Sequence, residues 1–174
     1  MTDFHIKFPL AFRLGDRILS DIAASWKYLQ SLRIGVISGW ARQSQISLEG
    51  LVPLLSLFKL EELKFVINAS VVKHTLNLLP VGVHNTKMSS LSLANSVIQD
   101  ELSVATFLSD VLPNVKKIDL WHHAAEHNAS VSRAEVEECR DWWNMVAVLI
   151  GTFVKVREQE RRGMQKSTEG GGSM

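Results

Sequence analysis

Five short apolar segments recur along the chain, and their period constrains the fold more than any other feature. They read Phe4-x-Ile6, Leu29-x-x-Leu32-x-Ile34, Leu60-x-x-Leu63-x-Phe65, Met88-x-x-Leu91-x-Leu93 and Val115-x-x-Ile118-x-Leu120. Their last apolar positions lie 28, 31, 28 and 27 residues apart. Each segment is too short to bury an apolar face alone, so a repeat of this kind folds by stacking successive units. The spacing therefore predicts a solenoid.

Between the segments the pattern switches to helical spacing. Phe4, Ile6, Phe8, Leu10 and Phe12 alternate with polar or small residues as in a half-buried strand, with Pro9 suited to its end or an edge. Ile18, Leu19, Ile22, Ala23 and Trp26 then form a helical face behind Gly15-Asp16. After a polar loop, Leu51, Leu54, Leu55 and Phe58 form another, with Pro53 placed in the first turn, where its missing N–H costs nothing. The third unit is weaker: Ser70 to Leu79 could form a short helix, which Pro80-Val81-Gly82 ends. Asp100 is positioned to cap a helix carrying Leu102, Ala105, Leu108, Val111 and Leu112, stopped by Pro113-Asn114. Finally Ser132-x-x-Glu135 has the form of a capping box before Val136, Cys139, Trp143, Val146, Ile150 and Phe153, an apolar stripe suited to cover the open end of a stack. Trp142, Met145 and Leu149 lie off that stripe, so the last helix could carry a second surface. The expected fold is α/β: a leucine-rich-repeat-like solenoid of about five parallel strands alternating with helices, closed by a long C-terminal capping helix. It spans residues 1–163 and is followed by a disordered tail over 164–174, rich in polar residues and glycine.

Composition narrows the function classes. The formal net charge is +1, so no overall field draws the chain to nucleic acid or an anionic membrane, and neither is expected as a partner. The longest greasy stretch, Trp142 to Val156, contains Asn144, Thr152 and Lys155 and falls short of the roughly 20 apolar residues a membrane span needs. A lone Cys139 and an N-terminus without a secretory pattern point to a reducing compartment, cytoplasmic or nuclear. The sequons at Asn68 and Asn128 carry no weight there.

Several stretches support a resemblance. Asp21-Ile22-Ala23-Ala24-Ser25-Trp26 leads to Leu29-x-x-Leu32-x-Ile34, and Ser47-Leu48-x-Gly50-Leu51 leads to Leu60-x-x-Leu63. Later come Val104-Ala105-Thr106-Phe107-Leu108-Ser109-Asp110-Val111-Leu112-Pro113-Asn114 with Ile118, and Trp143-x-x-Val146 through Arg157-Glu158-Gln159-Glu160-Arg161. Over roughly residues 14 to 162 the chain resembles the leucine-rich region of the large F-box-like family of mushroom-forming fungi. The resemblance implies the substrate-binding part of an F-box ubiquitin-ligase receptor. The family's F-box, which docks onto the adaptor subunit of a cullin ligase, is not found in this sequence. A cullin-ligase adaptor is therefore expected as a partner only if an F-box is encoded upstream, and the chain is expected to be a fragment, a truncated paralogue or a partial gene model.

No catalytic residue, cofactor or metal site is expected. In Trp121-His122-His123-Ala124-Ala125-Glu126-His127 the pair His123 and His127 could share a zinc ion on a helix, but Ala124 stands where the zincin pattern needs glutamate. The cluster reads as a polar loop. Cys139 lies on an apolar stripe, where a buried inert thiol is the common outcome. Gly170-Gly171-Gly172 has neither a strand before it nor a helix after it to make a phosphate loop. Lys155, Arg157, Arg161, Arg162 and Lys166 complement a helix C-terminus, with no interleaved aromatics for base stacking.

The natural recognition surface of such a fold is the outward face of the strands and the loops after them. Strand alternation nominates Arg33, Gly35, Lys64, Val66, Ser92, Ala94, Asp119 and Trp121. Among loop residues Trp40 and Arg42 stand out, because aromatic and arginine side chains carry much binding energy. The candidate contacts to an unknown protein partner are thus Arg33, Trp40, Arg42, Lys64, Asp119, Trp121, His122 and His123. Two alternatives accompany this reading: a truncated structural remnant with no partner of its own, and a metal-dependent enzyme built on the histidine cluster.

Overall fold

A computed structural model describes residues 2–6, 14–34, 44–72, 84–93, 96–115, 117–119 and 133–169. In chain order the elements are β1 (Asp3–Ile6), α1 (Asp16–Ser25), β2 (Ser31–Ile34), a 3-10 turn (Glu49–Leu51) running into α2 (Val52–Leu55), β3 (Glu62–Lys64), β4 (Asn68–Ala69), β5 (Ser90–Ser92), β6 (Val97–Ile98), α3 (Glu101–Val111), β7 (Lys117–Asp119) and α4 (Arg133–Glu169). The chain is α/β with a parallel sheet, ordered β1-β2-β3-β5-β7. A second parallel ladder joins β4 to β6.

The register explains the repeat. Phe4, Leu32, Leu63, Leu91 and Ile118 stand opposite one another across the sheet. The three inner members have no exposed surface, and the outer two are half-buried where the column ends. A second column, Leu29, Leu60 and Met88, enters the core one turn earlier, and a third, Ile34, Phe65 and Leu93, follows one alternation later. β2, β3 and β5 are reached by the same backbone fork. The Thr2 carbonyl accepts from the N–H groups of Gln30 (2.7 Å) and Ser31 (3.0 Å), Gln30 accepts from Glu61 (2.8 Å) and Glu62 (3.0 Å), and Glu61 accepts from Ser89 (2.9 Å) and Ser90 (3.2 Å).

One polar side chain replaces an apolar one in this plan. Trp26, Leu57 and Leu112 lie three residues before the Leu29, Leu60 and Val115 positions, and Asn85 holds the same place before Met88. Asn85 is buried with every side-chain hydrogen-bonding group used: Nδ2 donates to the carbonyls of Leu57 (3.0 Å) and Leu60 (3.1 Å), and Oδ1 accepts from the N–H groups of Lys87 and Met88 at 2.8 Å each. Its own N–H donates to the Val111 carbonyl (2.8 Å). One amide thus joins three successive turns.

The helices are set by short local signals. Asp100 caps α3 by accepting from the Ser103 N–H at 3.0 Å, and Pro53 sits in the first turn of α2. Asp16, in the first turn of α1, reaches across to accept from the N–H and hydroxyl of Ser47, both at 2.8 Å. Gly50 makes room for it, since a Cβ there would fall 2.0 Å from Asp16 Oδ1. At the far end α4 packs on α3, with Trp143, Val146 and Ile150 buried in the shared core. Trp143 Nε1 donates to the Ser96 carbonyl (2.9 Å), while the buried Ser96 hydroxyl accepts from the Ile67 N–H (2.8 Å). Arg157 ties the two helices further along, donating to Ser109 Oγ and pairing with Asp110 Oδ1, both at 2.6 Å.

The structure departs from or adds to the sequence pattern at four points. The second ladder, β4 with β6, was absent from the repeat pattern because each of its strands is two residues long. Phe58 lies outside α2, which ends at Leu55, and is 61% exposed. Leu102 lies in α3 as expected and is 57% exposed, unlike the buried Ala105, Leu108 and Val111 of that helix. The polar segment expected to be disordered from Met164 is helical to Glu169, because straight-chain residues extend an already nucleated helix at little cost. The expected helix within Ser70 to Leu79 and the Ser132 cap lie largely or wholly outside the described residues.

Leu63→Ala or Leu91→Ala is expected to lower stability by about 2–5 kcal/mol, because each removes a fully buried member of the central column and leaves a cavity. Asn85→Ala is expected to cost about 1–3 kcal/mol by removing the side-chain partner of the Leu60 carbonyl and of the Lys87 and Met88 N–H groups. Urea melts test both, and losses below about 1 kcal/mol at all three sites would contradict the packing described.

Candidate functional site

The outward face of the sheet carries an ordered charged group at β2 and β3. Arg33 and Lys64 stand directly opposite each other, as do Ser31 and Glu62. Two like charges facing across strands repel, and Glu62 resolves the conflict. Its Oε2 accepts from the Arg33 guanidinium and from Ser31 Oγ (3.2 Å), and its Oε1 lies 3.7 Å from Lys64 Nζ. The three side chains keep 39%, 20% and 24% of their surface for Arg33, Glu62 and Lys64. Charges are therefore held in place yet reachable from solvent. Further along the same face, Ser92 is buried.

Burial pushes the Glu62 carboxyl up, but the Arg33 hydrogen bond and charge, the Ser31 hydroxyl and the Lys64 charge outweigh it and hold the group below its ordinary value. A carboxylate with a depressed folded-state pKa contributes stability that is present above its unfolded value, about 4.3, and is lost as pH falls through the folded value.

A second exposed feature lies on the turns that lead into these strands. The rings of Tyr28 and Phe58 meet edge to face, with centroids 6.2 Å apart and planes at 79°, and both residues are 61% exposed. Lys59 Nζ lies 4.9 Å from the Tyr28 centroid and 5.7 Å from that of Phe58. The pair costs solvent exposure of apolar surface and gains a cation contact in return.

Of the residues nominated from sequence, the structure brings Arg33 and Lys64 together. Asp119 stands opposite Ser92 in register, with its side chain outside the description. Trp40, Arg42, Trp121, His122 and His123 lie outside the described residues, as do Gly35 and Ala94. Sequence reasoning missed Glu62 and Ser31, although both share the strand parity of Arg33 and Lys64. It also missed Tyr28, whose signal is its place one residue before the buried Leu29. Among the described residues no His, Cys, Asp and Glu group could hold a metal ion, and no helix is long and apolar enough to cross a membrane. Compared with known proteins, the chain matches no family model, no curated protein and no solved structure.

Glu62→Gln is expected to lower stability at pH 7 by about 0.2–1 kcal/mol, the range for a partly exposed ion pair. Thermal melts from pH 7 to pH 3 should show the wild type converging on the variant as the carboxyl protonates. Parallel pH profiles would show that Glu62 titrates alike in the folded and unfolded states.

Proposed function

We propose that this chain is a non-catalytic protein-recognition module of leucine-rich-repeat-like solenoid form, resembling the substrate-binding part of an F-box ubiquitin-ligase receptor. One observation supports it above the rest: a parallel sheet buries the inner members of one face, Leu32, Leu63 and Leu91, completely and holds Arg33, Glu62 and Lys64 in a fixed, half-exposed arrangement on the other. Preorganised charges lose little side-chain freedom on docking, so they favour a complementary partner over bulk solvent. Tyr28 and Phe58 on the adjoining turns would supply the apolar anchor that a polar surface lacks. Recruitment of a ligase would fall to an F-box encoded upstream, and the module would act in the cytoplasm or nucleus.

The test compares affinity purifications of the wild type and of the double variant Arg33→Glu/Lys64→Glu, with circular dichroism to verify that both are folded. A specific protein retained by the wild type and reduced at least about tenfold with the variant is expected, since two charge reversals at a docking surface cost more than about 1.4 kcal/mol. Equal retention by both would contradict this face as the recognition surface. No retained protein at all would favour a remnant without a partner.

A further inference from the structure

The outer face of α4 carries a charge pattern that matches its own reverse. Met145, Val148 and Thr152 are exposed on the side opposite the buried Trp143, Val146 and Ile150, with Val148 65% and Met145 49% exposed. Toward the N-terminal end the same stripe continues through the exposed acids Asp141 and Glu138, and toward the C-terminal end through the exposed Lys155 and Arg162. From Glu138 to Arg162 the stripe follows the alternating steps of three and four of a coiled-coil seam.

We infer that α4 pairs with the α4 of a second copy of this chain, antiparallel and about a two-fold axis near Ile150. In that register every layer of the seam is filled by complementary residues. Val148 faces Thr152 of the other copy, Met145 faces the aliphatic stem of Lys155, Asp141 faces Gln159, and Glu138 faces Arg162, each contact occurring twice by symmetry. A parallel pair would instead set Glu138 against Glu138 and Arg162 against Arg162, which the charges exclude. The buried stripe of α4 turns the body of each copy away from the seam, so the two bodies lie on opposite sides of the helix pair. Only a few apolar residues occupy the centre, so the pair forms at micromolar or higher concentration and weakens with salt.

Sedimentation equilibrium of the full chain across a concentration series tests this, with circular dichroism to verify that α4 remains helical in each variant. The wild type is expected to show a monomer–dimer equilibrium. Val148→Glu should abolish it. Glu138→Lys should weaken it roughly tenfold, because two symmetry-related pairs become repulsive, and Glu138→Lys/Arg162→Glu should restore most of the loss. A wild type that stays monomeric up to about 1 mM, far above the micromolar range of weak interfaces, would overturn the inference. So would a dimer insensitive to Val148→Glu, or a double charge swap no better than the single one.

Discussion

The rest of the structure depends on the central column of Leu32, Leu63 and Leu91. The inner strands of the sheet are three or four residues long, so each contributes few ladder hydrogen bonds, and such strands pair stably only when a buried face fixes their register. Because side chains alternate with a period of two, one register places Leu32, Leu63 and Leu91 inward and Arg33, Glu62 and Lys64 outward at once. A slip of one residue would bury the charges. The charged face and the core are therefore two consequences of a single alignment.

Polar contacts within and beside the core hold what the short strands cannot. Asn85 satisfies the Leu60 carbonyl, where an apolar residue would leave it to find another donor, and adds a second donor to the Leu57 carbonyl. Ser96 links the second ladder to α4 by accepting from Ile67 through its hydroxyl and from Trp143 through its carbonyl. Asp16 joins α1 to the segment before the 3-10 turn, in space that Gly50 leaves open. Each contact bridges segments some 25 to 47 residues apart in sequence, so each constrains how successive units stack.

The apolar columns were legible because period alone determines which residues point inward, and the capping Asp100 and the first-turn Pro53 because their signals are local. Asn85 was not. In sequence it is an ordinary loop residue, and only its place in a column otherwise held by Trp26, Leu57 and Leu112 gives it a role. Phe58 and Leu102 misled for a different reason: both fit a helical stripe by spacing, but α2 ends before the first, and the second sits at the start of α3, on its solvent side. Glu62 escaped notice because a carboxylate on a strand has no signature until the cations on either side of it are placed in register.

The apolar columns form one core which α4 completes, with Trp143 seated on Ser96 and Arg157 fastening the helix to α3. Ending the chain before Ser132 tests this most directly, by light scattering and thermal melting against the full chain. If α4 completes the core, the shortened chain exposes Val104, Leu108 and their neighbours and unfolds or aggregates. A shortened chain that stays monomeric and melts at the temperature of the full chain would show that α4 is an appendage and that the core closes without it.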